Sequence, residues 1–109
     1  MDPIVSEISE GYASKTYEKL KELIHDCELE KEEDEAIFVY VLLNDGSRLI
    51  VTYLGYYDPD LLIVGCVDED GYEQKALVHK SSIQILVTSE KVESIDKPNK
   101  IQYQTGYHQ

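Results

Sequence analysis

Between residues 36 and 87 the chain carries short apolar segments that alternate with turn residues, and several of these segments are apolar on both faces. The first, Ala36–Leu43 (AIFVYVLL), is rich in β-branched and aromatic residues, which favour strands. Because successive residues of a strand point to opposite faces, a strand that is apolar at every position must be covered on both sides. The pattern predicts a strongly bent small barrel that is covered by a helix, by neighbouring subunits, or by both.

Turn residues divide this region into segments of strand length. Asn44–Ser47 (NDGS) contains Asp-Gly, a pair that favours tight hairpin turns, and Asp68–Gly71 (DEDG) provides a second turn. The link His79–Ser81 (HKS) separates the last two segments and is very short. The predicted strands are Ala36–Leu43, Arg48–Tyr57, Leu61–Val67, Tyr72–Val78 and Ser82–Val87.

One amphipathic helix is predicted before the strands. Ser14 is suited to cap it, and Glu28–Glu35 (ELEKEEDE) follows as either a frayed helix end or a solvated connector, because like charges repel. Apolar residues spaced three and four apart form one face of this helix: Tyr17, Leu20, Leu23, Ile24 and Cys27.

These patterns divide the chain into three parts. Residues 1–35 form an arm with the helix and the acidic connector, and residues 36–88 form the barrel. Residues 89–109 have no hydrophobic period and are predicted to be a flexible tail, although its Tyr103 and Tyr107 side chains could dock on the folded part of the chain.

The net charge of −12 limits the possible partners. Residues 1–35 alone hold 12 acidic and 4 basic side chains, and such a field disfavours generic binding of nucleic acid. The two cysteines, Cys27 and Cys66, are far apart, so reduced thiols are expected. With no charged and apolar leader and no membrane-length apolar run, we expect a soluble cytoplasmic protein without a membrane partner.

Candidate chemistry centres on the polar interruption in Tyr53–Val64 (YLGYYDPDLLIV). Asp58 and Asp60 suit a turn, because Asp and Pro initiate bends, although carboxylates that converge with other oxygen ligands could bind a metal ion. His25, Cys27, Cys66 and His79 lack the short paired spacings of a zinc site. The sequence also lacks the motifs of a nucleophile elbow and of a phosphate loop, so no catalytic activity, metal or cofactor is predicted.

The order of helix, strands and turns resembles the Sm, LSm and Hfq family. The first Sm motif, V-x-V-x-L-x-x-G-x-x-L followed by an aromatic-Asp pair, is matched between Val39 and Leu49 (VYVLLNDGSRL) and by Tyr57-Asp58. The second motif is similar to Ala76–Val87 (ALVHKSSIQILV), with a basic link like the Tyr-Lys-His of Hfq. The likeness covers about residues 14–87.

The chain departs from the family pattern at several positions. Val51 stands where the family usually has a glycine at the bend of the second strand, while Gly55 lies further along. The stretch from the first turn to Asp58 is one residue longer than usual, which a bulge near Gly55 would explain. The asparagine that many Sm proteins use to hold a base is missing after Asp58, and His79–Ser81 replaces the Arg-Gly of the second motif.

The resemblance implies a closed ring of identical subunits, in which the fourth strand of one subunit pairs with the fifth of the next. The residues implied at this contact are Tyr72, Ala76, Val78, Ile83, Ile85 and Val87. It also implies binding of single-stranded RNA at the pore, where a base stacks on an aromatic ring. The implied RNA-binding residues are Tyr57, Asp58, Asp60, His79 and Lys80.

The sequence leaves three functions open. A ring that binds single-stranded RNA is the function implied by the family, although Arg48, Lys75 and Lys80 are the only bases between residues 36 and 87. A homo-oligomeric scaffold or adaptor would keep the fold and bind protein, such as a basic partner on the acidic arm. A monomeric SH3-like interaction module is the third.

Overall fold

A computed structural model describes residues 11–93 and 100–104. One helix precedes a sheet whose main strands are antiparallel, which confirms the predicted mainly β class. The elements are α1 (Ala13–Glu30), β1 (Glu35–Leu42), β2 (Arg48–Tyr57), β3 (Leu61–Val67), β4 (Glu73–His79), β5 (Ile85–Lys91) and β6 (Gln102–Tyr103).

The strands follow the order β4-β3-β2-β1-β5, so β4 and β5 lie at the two ends of the sheet. β5 pairs along β1 from Glu35↔Lys91 to Val41↔Ile85, although the two strands are far apart in sequence. Within the described residues, β4 and β5 do not pair with each other. The sheet of a single chain is therefore not closed.

Several strand boundaries differ from the sequence prediction, and the largest differences are at the two ends of β5. The link between β4 and β5 comprises residues 80–84, so it is longer than the predicted His79–Ser81. β5 continues to Lys91, beyond the predicted barrel boundary at residue 88, because β1 begins at Glu35 and supplies pairing partners that far.

The second strand bends at a register shift between Val51 and Tyr53, where Thr52 is the extra residue against β3. The predicted bulge near Gly55 is therefore misplaced by a few residues. Gly65 lies opposite Tyr53, and a Cβ on Gly65 would stand 2.7 Å from the Tyr53 Cβ. The close approach of the two strands at this irregularity needs a glycine on β3.

The residues after Lys100 cover part of the edge of β2. That edge pairs first with β1 and then, at Tyr53 and Leu54, with β6 in parallel. Gln104 continues the contact, since its N–H donates to the Leu54 carbonyl at 3.0 Å and its Oε1 accepts from the Tyr56 N–H at 2.9 Å. This part of the predicted tail is packed on the sheet, and Tyr107 lies outside the described residues.

The core lies between α1 and the concave face of the sheet. Tyr17 and Ile24 of the helix are buried against it, and Leu54 and Leu62 of the sheet are fully buried. Leu20 and Cys27 pack at the edge of the core, as predicted, whereas Leu23 is 48% exposed and belongs to the outer side of the helix. Burying these apolar side chains fixes the helix across the bent sheet.

Candidate functional site

Three segments meet at one end of the molecule: the β2–β3 turn, the β4–β5 link and the start of α1. The Ala13 N–H donates to the Pro59 carbonyl at 2.6 Å, and the Lys80 N–H donates to the Asp60 carbonyl at 2.8 Å. These contacts join residues that are distant in the sequence. The fold thus brings together the two segments to which the family resemblance assigns RNA binding.

Asp58 caps the helix from across the molecule. Its Oδ1 accepts from the Ser14 N–H at 2.8 Å, although the two residues are 44 positions apart. Tyr12 occupies the N-cap position and makes no side-chain capping bond, so the predicted capping role of Ser14 is wrong. The Asp58 carboxylate satisfies one of the N–H groups that every helix leaves unpaired at its start.

Lys80 is held by internal partners. Its Nζ lies 3.3 Å from Asp60 Oδ1 and donates to the Gly11 carbonyl, and its side chain is 14% exposed. The ammonium therefore ties the β4–β5 link to the chain before α1. A phosphate would have to compete with a carboxylate and a carbonyl for this cation.

Tyr57 and His79 remain exposed, and they lie on either side of Leu61 on neighbouring strands. Tyr57 pairs with Leu61 across β2 and β3, and Leu61 pairs with His79 across β3 and β4. Residues that pair in this way share a face, so the three side chains form one row across the sheet. Tyr57 is 54% exposed and Leu61 37%, and His79 Nδ1 lies 2.7 Å from Ser81 Oγ.

The two remaining bases between residues 36 and 87 contact tyrosine rings. The Arg48 guanidinium carbon lies 4.1 Å from the centroid of the Tyr40 ring, and Lys75 Nζ lies 4.5 Å from that of Tyr53. The Tyr40 hydroxyl donates to Glu90 Oε2 at 3.0 Å, and bonds from Thr88 and Tyr40 lower the pKa of Glu90. All three bases of this region thus have partners within the described residues.

The residues predicted at a contact between subunits lie along the two ends of the sheet. Val78, Ile83, Ile85 and Val87 are half-buried and pack against the core from the β4 and β5 sides. Ala76 shares the inner face of β4 with Val78 but is exposed, and Tyr72 before β4 is 70% exposed. Partly exposed apolar side chains therefore extend from the core to the open edges of β4 and β5.

The described residues provide little support for metal or thiol chemistry. Residues 11–93 and 100–104 contain no group of three or more His, Cys, Asp or Glu side chains that could hold a metal ion. Cys27 and Cys66 are free, and burial raises the pKa of the Cys66 thiol. A thiol with a raised pKa is a poor nucleophile at neutral pH.

The sequence located the polar turn and, with a link shorter than the observed one, the connection between β4 and β5, but it did not reveal how their side chains are used. Asp58 and Lys80 are chemically suited to RNA recognition, yet their partners Ser14 and Gly11 come from a segment far away in the sequence. The sequence signal for these internal roles is that Asp58 and Lys80 stand next to a proline or in a short turn. Residues in such positions typically bond to the backbone.

Comparisons with known proteins leave the family open. No model of a protein family matches the chain, and neither a curated protein nor a solved structure matches it significantly. In the described part of the chain, no helix is both long and apolar enough to cross a membrane.

Proposed function

We propose that this chain is a non-enzymatic, Sm-like subunit that assembles with identical copies into a ring. The observation that carries the proposal is the pair of open edges, since β4 and β5 lie at opposite ends of the sheet and neither pairs on its outer side with any described residue. In the ring, β4 of one subunit pairs with β5 of the next, and each barrel is completed by its neighbour.

The half-buried side chains beside these edges supply the driving force. Val78 on the β4 side and Ile85 and Val87 on the β5 side leave apolar surface accessible in the single subunit. Pairing between copies removes this surface from water and satisfies the backbone groups of both edges at once. Closure into a ring leaves no edge available for further growth.

Native mass spectrometry at micromolar concentration tests the assembly. We expect one closed oligomer whose mass is a fixed multiple of 12.5 kDa. A species of subunit mass alone would exclude the ring, and a ladder of increasing masses would indicate open growth instead of closure.

Binding of single-stranded RNA is the function we propose for the ring. The specific support is the row formed by Tyr57, Leu61 and His79, which offers an exposed aromatic face beside an imidazole. Base stacking on an aromatic side chain contributes about 1–3 kcal/mol, and repetition around a ring multiplies a weak contact. Asp58, Asp60 and Lys80 then hold the loops that present this row.

Fluorescence anisotropy with short U-rich and A-rich strands at low salt tests RNA binding. We expect Tyr57→Ala to weaken binding at least about tenfold, which corresponds to a loss of about 1.4 kcal/mol of binding free energy in total. Tyr12→Ala serves as the matched control, because Tyr12 is also exposed but lies outside the row and outside the proposed contact between subunits. Equal losses for the two variants would remove the row from the RNA site.

The alternative function is a ring that acts as a scaffold for protein. It is favoured by the charge of −12 and by the internal partners of Arg48, Lys75 and Lys80, which leave little free positive charge for phosphates. If both RNA strands fail to bind while the ring forms, the scaffold function is retained and RNA binding is lost.

A further inference from the structure

A groove with a volume of about 840 Å³ lies between α1 and the start of β1. Ile24 of the helix and Ile37 and Val39 of β1 line it, and Ile101 and Tyr103 form one side. We call it the α1–β1 groove. Its volume is sufficient for several apolar side chains, and its lining is chemically suited to them.

The helix contributes carboxylates to the groove. Glu18, Glu22 and Glu28 line it, and all three are exposed. In the part of the chain that the structure describes, none of the three side-chain carboxylates has a hydrogen bond or an ion pair. Their negative charge is available to a ligand.

Two of the lysines that line the groove are already engaged. Lys21 Nζ lies 5.3 Å from the Tyr17 ring centroid and 5.2 Å from that of Tyr103. Lys31 Nζ donates to the Glu35 carbonyl at 3.1 Å. Lys100 is the remaining lysine of the lining, and the lining carboxylates of Glu18, Glu22, Glu28 and Glu35 exceed the three lysines by one formal negative charge.

Leu29 also lines the groove and is 71% exposed, although it lies on a helix with a buried apolar face. A large apolar side chain near unpaired carboxylates is a combination that fits an amphipathic cationic segment. The apolar side of such a segment would contact Leu29 and the groove lining, and its Lys or Arg side chains would reach the carboxylates.

We propose that the α1–β1 groove binds a cationic amphipathic peptide segment of a protein partner. The groove lies on the helix side of the sheet and does not include the Tyr57 row or residues of β4 and β5. The proposal is therefore independent of ring assembly and of RNA binding, and its failure would leave both of them untouched.

The probe is a fluorescein-labelled peptide of about four helical turns, made of leucine and lysine with the leucines on one face. Its control has the same pattern with glutamate in place of lysine. Anisotropy with the full chain should show saturable binding of the lysine peptide and none of the glutamate peptide. Equal binding of both peptides would contradict the charge complementarity, and failure of the lysine peptide to bind would overturn the proposal.

Two triple variants distinguish binding to the groove carboxylates from attraction to the overall negative charge of the protein. Glu18→Gln, Glu22→Gln and Glu28→Gln together remove the groove carboxylates and should weaken binding about tenfold. Asp26→Asn, Glu30→Gln and Glu33→Gln remove the same charge from exposed positions that do not line the groove, and should weaken it less than about twofold. Equal losses in the two triple variants would overturn the proposal.

A pair of leucine variants tests the apolar contact. Leu29→Ala should weaken peptide binding about fivefold, because a buried leucine contributes about 1 kcal/mol or more to a contact. Leu23→Ala is the matched control, since Leu23 is exposed on the same helix and does not line the groove. A loss for Leu23→Ala that equals the loss for Leu29→Ala would place the peptide elsewhere on the helix.

Discussion

The sheet has two kinds of edge: one is covered by residues of the same chain, and the other is left open by the described residues. Where β2 separates from β1, the chain covers the free edge itself with β6 and Gln104. At the outer sides of β4 and β5, the described residues supply no cover. The covered edge lies beside Tyr17 of the helix, whereas the open edges lie at the two ends of the sheet.

This difference indicates which contacts belong to the single subunit. Gly55 leaves room for Gln104, since a Cβ on Gly55 would stand 2.6 Å from the Gln104 Oε1. Among the described residues, no comparable segment covers β4, on which Leu77 is 59% exposed. We infer that the covered edge belongs to the fold of each subunit and that the open edges are used between subunits.

The largest expected effect is on the open edges. Ala76→Arg places a long charged side chain on the inner face of β4, where Ala76 is exposed in the single subunit. The side chain is tolerated there but cannot be buried under a neighbouring β5 without a large desolvation cost. Sedimentation velocity should show single subunits with an unchanged circular dichroism spectrum.

Glu69→Arg is the control for this variant, because Glu69 is exposed in the turn before β4 and is not at the proposed contact. This control should keep the oligomer of the wild-type protein. If Ala76→Arg also keeps it, the pairing of β4 with β5 is wrong.

A smaller effect is expected at the covered edge. Gly55→Ala should displace the Gln104 side chain, with loss of its hydrogen bond from the Tyr56 N–H, and crowd the Tyr53 ring, whose nearest atom is 3.1 Å from the new Cβ. We expect a cost of about 1–3 kcal/mol of unfolding free energy. Urea denaturation measures this cost. Assembly should remain intact at protein concentrations where the subunit is folded.

Gln104→Ala completes a double-mutant cycle with Gly55→Ala, because it removes the side chain that a Cβ on Gly55 would meet. The double variant should be less destabilised than the sum of the two single variants. Additive effects would show that Gly55 is needed for another reason.

A still smaller effect is expected at the helix start. Asp58→Ala should lower the unfolding free energy by about 1 kcal/mol, because a helix N–H loses its acceptor. Ser14→Ala should change it by less than about 0.5 kcal/mol, since the Ser14 backbone and not its hydroxyl makes the contact. Thermal denaturation of both variants distinguishes the two roles, and the reverse order would restore Ser14 as the cap.

The smallest expected effect is a decrease in the unfolding free energy at alkaline pH. Burial raises the pKa of Tyr17 to about 12, from an ordinary value of 10.0. The folded state then holds this proton more tightly than the unfolded chain, so the stabilisation is complete below about pH 10 and is lost as the pH rises through the folded value. Urea denaturation at about pH 9 and about pH 11 should show a lower unfolding free energy at the higher pH.

Tyr17→Phe should reduce this alkaline loss, because the variant has no hydroxyl to ionise. Tyr72→Phe is the control, since Tyr72 is 70% exposed. A loss in Tyr17→Phe as large as in the wild-type protein would assign the alkaline sensitivity to other groups, such as Tyr103, whose pKa burial also raises.

Much of the fold could be predicted, because local patterns specify it. The Asp-Gly turn places Gly46 at a φ of +88°, a conformation that glycine adopts readily, and the apolar runs define the strands on either side. The two residues of β6 could not be predicted, because a strand of this length has no period. Its position depends on an edge that only the bend of β2 makes available.

The candidate site was predictable in part. The positions of Tyr57 and His79 in the family motifs identified them as candidate RNA-binding residues. The strand register places their side chains in one row. The internal roles of Asp58 and Lys80 depend on contacts with Ser14 and Gly11, which no local pattern reveals. The α1–β1 groove also arises only when the helix, β1 and residues 100–103 pack together.

Hydrogen exchange of the backbone amides of β4 and β5 tests the central claim most directly. In the wild-type protein at micromolar concentration, we predict protection of the amides that point away from β3 and from β1. In Ala76→Arg the same amides should exchange rapidly while the rest of the sheet stays protected. Rapid exchange of these outer amides in the wild-type protein would contradict pairing between subunits.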